Sequence, residues 1–462
     1  MRVTLRKAIT WFITLCVFFL LAFNFYNRSL WIYESNTHPW GRDFNTDNTE
    51  HNKMHKSVMP YERIGIHTTL HGLKVPLLKN FTVALNPMQP PAAKTKRLVV
   101  WPDKEQFDDD RIVAQLEYKP KWLEEKETKK ENLSLKQILL YNGFGNWQIK
   151  PGQETFKEQN CRVNTCSLIA DRNKAAQADA ILFQHSPTRP WFQRPKSQIW
   201  ILFLLESPNH TPGLNGFENL FNWTASYRHD SDIVAPYEKF VRYNERVKTL
   251  PQNKSYSVGK VKQVAWFVSN CGARNGRREF ADELAKYIQV DIYGGCGNHR
   301  CSRQDSDRCF EMLSKEYKFY LAFENSNCRD YITEKFFVNG LSNDIIPIVM
   351  GAAPEDYARA APPHSYIHVE DFETPKLLAE YLHKLDKNDD LYNEYFAWKG
   401  TGRLINTYFW CRVCAMLHDD TRTPSSYNDI DRWWRGDGVC IGKDTWRSHP
   451  RKSSFIIENY LS

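Results

Sequence analysis

An almost uninterrupted apolar run from Ala8 to Phe23 opens the chain, extending to Tyr26 when one interfacial Asn is allowed. At 1.5 Å rise per residue, the 8–26 stretch spans roughly 28 Å as a helix, enough to cross a thin bilayer. Beyond residue 135 the pattern changes to short apolar runs alternating with helical stretches, which predicts parallel sheets with crossover helices. Strands are expected at 137–141, 180–184 and 198–205 in a first half, and at 263–269, 290–293, 319–323, 345–350 and 366–369 in a second. Amphipathic periodicity places helices at 277–288 and 376–385, among others. The expected fold class is therefore α/β, with two doubly wound, Rossmann-like halves, a cleft between them, and ligands at the carboxyl ends of the strands.

Flanking residues orient the amino-terminal run. Arg2, Arg6 and Lys7 precede it, and no positive cluster follows it at once, so residues 1–7 are expected to stay cytoplasmic and the remainder to be lumenal. A cleaved signal peptide is the competing reading, but Phe23-Asn24-Phe25-Tyr26 lacks a small-x-small cleavage pattern, which favours an uncleaved signal-anchor at 8–26. Residues 27–96 are rich in Asn, Thr, His and Pro, and the Pro-rich stretch 86–91 has the marks of a stiff linker. Charges of both signs crowd 124–131. Residues 27–135 are accordingly expected to form a stem, the alternative being a small extra domain containing a strand at 97–101.

Composition narrows the function. The 462 residues are 42% hydrophobic, 25% charged and 14% aromatic, the profile of a globular chain. A net charge of +8, with both signs mixed along the sequence, lacks the dense basic stripe of a nucleic-acid binder but suits an anionic ligand such as a sugar nucleotide. Of eleven Cys, Cys16 lies in the apolar run, which leaves an even set for an oxidising lumen. The spacing of Cys411 and Cys414 also fits a zinc ligand pair, but no second such pair accompanies it, so a disulfide role is favoured. Glycosylation triplets begin at Asn27, Asn80, Asn132, Asn222 and Asn253, and at Asn209, where Pro212 discourages use.

No glycine signature of an ordinary Rossmann or P-loop phosphate site occurs, so phosphate binding would need other donors. Leu321-Ala322-Phe323-Glu324-Asn325-Ser326 ends a strand, and 330–337 reads as a helix capped by Asp330. Such a junction aims a positive helix end, free amides and Lys335 above the sheet, where a diphosphate is the obvious guest. The bland alternative is a capped helix with solvated Glu334 and Lys335.

Here the residues carry a resemblance. Phe323-Glu324-Asn325-Ser326 followed by Asp330-Tyr331-Ile332-Thr333-Glu334-Lys335 resembles the signature of the α1,3-fucosyltransferases, glycosyltransferase family 10. Glu206-Ser207-Pro208-Asn209-His210-Thr211-Pro212, with Leu220 to Thr224 and Ser226 to Asp232, is a second match, and Ser269-Asn270-Cys271-Gly272-Ala273-Arg274-Asn275 leading to Arg277 is a third. These matches run in the family's order from about residue 136 to 415. The third, with Tyr293-Gly294-Gly295-Cys296-Gly297, is similar to the branch that fucosylates the Asn-linked GlcNAc of N-glycans.

The resemblance implies a GT-B fold with an acceptor-side domain at 136–257, a GDP-fucose-binding domain at 258–415 and an extension at 416–462. It implies GDP-β-L-fucose as donor, N-glycans of glycoproteins as acceptors, inversion at the anomeric carbon, and a type II protein of the Golgi membrane. Glu206 falls on the general base; without the family it would read as a turn carboxylate before Pro208. Arg277 and Lys335 fall on the diphosphate-binding cations, with Arg274 and Arg278 as neighbours that counting from Ser269 sets aside. Asn325, Tyr331, Glu334, Ser269 and Tyr293 fall on further donor-binding positions. Cys161 and Cys166 resemble an early pair tied to Cys411 and Cys414, while the other six lumenal cysteines allow fifteen pairings.

No cofactor is required on this reading, with Mn2+ or Mg2+ at most stimulatory. Asp230-Ser231-Asp232 has the carboxylates a hard cation would use, but the cation site already accounts for the phosphates, and the pair reads as structural. The runner-up activities are transfer to antennary GlcNAc of Lewis-type or LacdiNAc acceptors, and a sugar-nucleotide-binding protein without turnover.

Overall fold

A computed structural model describes residues 99–102, 110–145, 147–185, 187–189, 192–301, 305–422 and 424–449. The segments expected to be cytoplasmic (1–7) and a membrane anchor (8–26), with Asn27, Asn80 and residues 450–462, lie outside the described residues. Among the described residues no helix is long and apolar enough to cross a membrane.

Six strands build a first sheet: β1 (Lys136–Leu140), β2 (Cys166–Ile169), β3 (Ala180–Gln184), β4 (Ile199–Leu204), β5 (Trp223–Ser226) and β6 (Ile233–Val234). All pair in parallel, in the order β2-β1-β3-β4-β5-β6. Next come β7 (Lys239–Arg242), β8 (Lys262–Phe267), β9 (Val290–Tyr293), β10 (Tyr317–Phe323), β11 (Ile346–Met350), β12 (Ile367–His368) and β13 (Gly402–Ile405). Strands β8 to β12 form a second parallel sheet, ordered β12-β11-β10-β8-β9, while β7 and β13 pair antiparallel. The protein is thus an α/β fold with two parallel sheets.

Side-chain alternation explains why each sheet is covered on both faces. Along β1, Ile138 and Leu140 enter one core and Leu139 the opposite one. Along β10, Phe319, Leu321 and Phe323 face one core, Tyr320 and Ala322 the other. Burying each such large side chain contributes about 1.5–3 kcal/mol.

Three domain expectations need correction. Residues 99–135, expected as stem, supply helices Arg111–Glu117 and Lys121–Thr128 to the first half: Leu123 is fully buried, Arg111 Nη1 donates to the Ser231 carbonyl at 2.7 Å, and Trp101 lies 5.1 Å from Trp223. The charged run at 124–131 is exposed, on the outer face of the second helix and the turn after it. Helix Phe409–Leu417, expected to close the second half, packs in the first core with Phe156 and Phe203. Helix Ile430–Arg435, in the expected extension, places Trp433 and Trp434 against the other face of the first sheet.

The disulfides fix that return of the chain. Cys161 pairs with Cys411 and Cys166 with Cys414, so the zinc alternative for these residues gives way. The pairings open at the sequence level are Cys271–Cys296, Cys301–Cys309 and Cys328–Cys440.

Candidate active site

Adjacent strands of each sheet are parallel, so the loops after β4 and β10 leave at carboxyl ends, and they meet. Glu206 follows β4, half-buried. Its Oε1 accepts the Ser207 backbone N–H at 2.9 Å, the Asn325 Nδ2 at 3.1 Å and the Tyr331 hydroxyl at 2.7 Å. Among the described residues no hydrogen bond falls on Oε2. One carboxylate oxygen is therefore held from both halves while the other is left without a protein donor among the described residues. Burial, then the Glu206 charge, push the Tyr331 phenol well above its ordinary pKa, so it acts as a donor. Ser207 Oγ and Ser326 Oγ, 2.8 Å apart, add a further bond between the loops, and His210 Nδ1 lies 3.0 Å from Ser207 Oγ.

The loop after β10 corrects the helix expectation. The helix starts at Glu334 and covers only Glu334–Phe336 before a π-helical turn over Phe337–Leu341. Its cap is Thr333, whose side chain accepts from the Lys335 N–H. Asp330, expected as the cap, has a positive φ of 59° and instead takes Arg359 Nη1 at 2.8 Å and His229 Nδ1 at 2.6 Å. The Thr333 N–H is likewise occupied, donating to Glu324 at 2.8 Å. The junction thus has no open helix end; its cationic side chain is Lys335.

Lys335 Nζ lies 3.1 Å from Glu324 Oε2, 3.1 Å from Glu334 Oε1 and 2.9 Å from Thr333 Oγ1. Burial works against its charge, but Glu324 and Glu334 outweigh burial and hold its pKa above the ordinary value. Glu324 is fully buried, and burial pushes its carboxyl up against the pull of Lys335. Arg277, at the start of helix Arg277–Leu284, is buried beside this loop: Nη1 donates to the Phe323 carbonyl at 3.0 Å and Nη2 to the Asn270 carbonyl at 2.7 Å. Desolvation lowers its pKa, partly offset by Glu324. Its buried Nε and the buried Asn325 Oδ1 have no hydrogen-bond partner among the described residues.

Other expected residues are placed differently. Ser269 is exposed at the end of β8, beside the Cys271–Cys296 disulfide. Tyr293 does not join the cluster: its hydroxyl is 2.8 Å from that of Tyr317, which donates to Asp291 at 2.6 Å, because the last residue of β9 points into the core. Arg278 binds Asp282 and the Cys296 carbonyl, and Arg274 is exposed. The Asp230 carboxylate is gripped by Arg228 on two nitrogens; that of Asp232 takes Thr224, Tyr427 and Arg422. Both carboxylates are thus engaged by protein donors. Asn132 and Asn253 are exposed, whereas Asn222 donates Nδ2 to the Ser425 carbonyl at 2.9 Å, the nitrogen a glycan would need.

Sequence reasoning missed Glu324, His185 and Tyr227. His185, at the end of β3, has a positive φ of 57° and a pKa lowered by burial and partly restored by Glu206. The Tyr227 hydroxyl is buried without a partner among the described residues, its ring 5.0 Å from that of Tyr331. For Glu324 a signal existed: an acidic residue directly after seven buried strand residues.

Residues 134–238 match the family description "Fucosyltransferase, N-terminal", and residues 257–433 match "Glycosyltransferase family 10 (fucosyltransferase) C-term". The chain is 54% identical over 354 residues to the Drosophila melanogaster protein named glycoprotein 3-alpha-L-fucosyltransferase A, covering 76% of this chain and 69% of that one. It is 40% identical over 268 residues to the Homo sapiens protein named 4-galactosyl-N-acetylglucosaminide 3-alpha-L-fucosyltransferase FUT6, covering 56% and 72%. A crystal structure of an alpha1,3-fucosyltransferase with GDP-fucose aligns at 18% identity and a TM-score of 0.41, over 63% of this chain and 93% of that one.

Proposed function

The chain belongs to glycosyltransferase family 10, the fucosyltransferases, and from that premise we propose that it transfers L-fucose from GDP-β-L-fucose in α1,3 linkage to the Asn-linked GlcNAc of glycoprotein N-glycans. The observation that carries the mechanism is the Glu206 carboxylate, held on one oxygen by Asn325 and Tyr331 and open on the other. Inversion by single displacement needs one base to take the proton of the acceptor 3-hydroxyl as its oxygen attacks the anomeric carbon, and Oε2 of Glu206 is that base. The bond to GDP breaks on the opposite face. Lys335 and Arg277, on the side of the second sheet, stabilise the departing diphosphate as the sugar gains positive charge. Glu334 accepts hydrogen bonds from sugar or ribose hydroxyls.

No metal is needed on this reading, since fixed cations neutralise the leaving group and the Asp230 and Asp232 carboxylates are occupied by protein donors. Mn2+ or Mg2+ would stimulate at most. The two parallel sheets are the two halves of a GT-B arrangement, carried on a type II Golgi anchor at 8–26. The core acceptor is favoured over an antennary one by the higher identity to the relative named for glycoproteins, 54%, than to the one named for 4-galactosyl-N-acetylglucosaminide, 40%.

The test is incubation of the full chain with GDP-fucose and a glycopeptide bearing terminal GlcNAc branches, with and without chelator, followed by mass spectrometry and linkage analysis. Fucose 3-linked to the Asn-linked GlcNAc, persisting in chelator, is the expected product. Fucose on an antenna instead moves the assignment to the runner-up acceptor. Absence of transfer to any acceptor reduces the protein to a binder.

A further inference from the structure

The match to the family ends at residue 433, yet the chain beyond it is threaded across the donor side of the site. Cys440 is bonded to Cys328, inside the loop between Glu324 and Lys335, and the two residues form an antiparallel bridge. The Arg329 N–H donates to the Val439 carbonyl at 2.8 Å, the Ile441 N–H to the Asn327 carbonyl at 3.0 Å, and Asn327 Nδ2 to the Gly442 carbonyl at 2.9 Å. Asn327 in turn accepts from Asn275 Nδ2 at 3.0 Å, and that amide also reaches the Glu324 carbonyl at 3.0 Å.

The segment then turns back at Trp446, which is buried. Its backbone N–H donates to Glu370 at 2.8 Å, its ring lies 4.2 Å from the Arg329 guanidinium, and its Nε1 donates to the Gly351 carbonyl at 2.9 Å. Gly351 is the residue against which the Glu324 side chain rests: a Cβ built there would meet Glu324 Cβ at 2.6 Å and Cγ at 2.7 Å. The Glu324 N–H is held by the preceding carbonyl, that of Met350, at 2.8 Å. A chain of contacts therefore runs from Trp446 through Gly351 to Glu324, and from Glu324 to Lys335 Nζ.

We propose that residues 440–448 are a positioning strap for diphosphate binding, in which Trp446 sets Gly351 and thereby the buried Glu324 that aims Lys335. The inference rests on the GDP-fucose reading of the site. It gives a role to a segment outside the family match, and it makes Trp446 a positioning residue that touches neither donor nor acceptor. The device is physically reasonable because a buried carboxylate can orient an ammonium only where its own rotamer is fixed by packing.

Trp446→Phe in the full chain keeps a ring under Arg329 but deletes the N–H that reaches Gly351. GDP itself is the probe, titrated calorimetrically, alongside steady-state kinetics and thermal midpoints. The expected result is a Kd for GDP and a KM for GDP-fucose raised about fivefold, the size of one lost hydrogen bond, with kcat and the acceptor KM within about twofold of wild type. Trp446→Ala, which also removes the packing, should raise both donor constants further in the same direction. Wild-type GDP affinity in Trp446→Phe overturns the strap, as does a parallel loss of donor and acceptor affinity that tracks the fall in thermal midpoint. A wild-type chain that binds no GDP overturns the donor reading and the strap with it.

Discussion

The Tyr331 hydroxyl donates to Glu206 Oε1 across 2.7 Å, joining a loop that leaves the second sheet to a carboxylate that follows the first. A residue expected to bind donor thus also holds the Glu206 carboxylate. That carboxylate is fully held only when both halves are in place, since Asn325, from the same loop as Tyr331, supplies a further bond at 3.1 Å.

Tyr331→Phe keeps the ring beside that of Tyr227 and deletes only the hydrogen bond. The expected outcome is a kcat about tenfold lower with the Kd for GDP nearly unchanged, as for a bond to a charged group that fixes orientation. Glu206→Gln, which removes the base itself, should lower kcat by roughly a thousandfold with GDP binding intact. Single-turnover transfer rates and GDP titrations check both; a Tyr331→Phe variant that loses GDP affinity and keeps kcat would return Tyr331 to the donor alone.

Gly351 has a φ of 147°, which favours glycine, and no room for a side chain beside Glu324. Gly351→Ala is expected to displace the Glu324 carboxylate and so release Lys335, raising KM for GDP-fucose about tenfold. Backbone strain of about 1–3 kcal/mol should lower the thermal midpoint at the same time. Donor kinetics and a melting curve check it, and unchanged donor KM would show that Lys335 is aimed by something other than Glu324.

Glu238, half-buried between β6 and β7, has its carboxyl pushed by burial from 4.5 up to about 7. In the folded chain it keeps its proton to higher pH than in the unfolded one. Its contribution to stability is therefore complete below pH 4.5 and is lost as pH rises through about 7. Glu238→Gln removes that dependence, and the variant should be more stable than wild type at pH 8 by on the order of 1–3 kcal/mol, with a smaller difference at pH 5.5. Thermal midpoints of both proteins at the two pH values decide it; parallel pH profiles would show that Glu238 does not titrate in this range.

Much of the fold was legible along the chain. Strands β1, β3, β4 and β8 to β12 lie within a residue or two of the apolar runs that predicted them, because a strand buried on both faces has to be apolar throughout. Strands β2, β5, β6, β7 and β13 were missed; all are four residues or fewer, but so are β9 and β12, so length alone did not decide which short runs were legible. The predicted helix at 277–288 ends at Leu284, where Ala285 begins the turn to β9.

What the sequence by itself determined is the α/β class, the two groups of strands, and the residue types at the ends of β4 and β10, since those follow from local periodicity and from motifs that keep their spacing. Only tertiary structure decided that the Arg111–Glu117, Lys121–Thr128 and Phe409–Leu417 helices complete the first core, and that Cys328 takes Cys440. It alone turned the Tyr293 hydroxyl inward, gave Asp330 to Arg359 and His229, and set the buried Glu324 beside Lys335. The reason is common to all of them. Which way a side chain points at the end of a strand, and which segment covers a face, depend on contacts that the fold makes between separate elements, from Tyr293 with Tyr317 to Cys328 with Cys440, and local pattern carries no record of those.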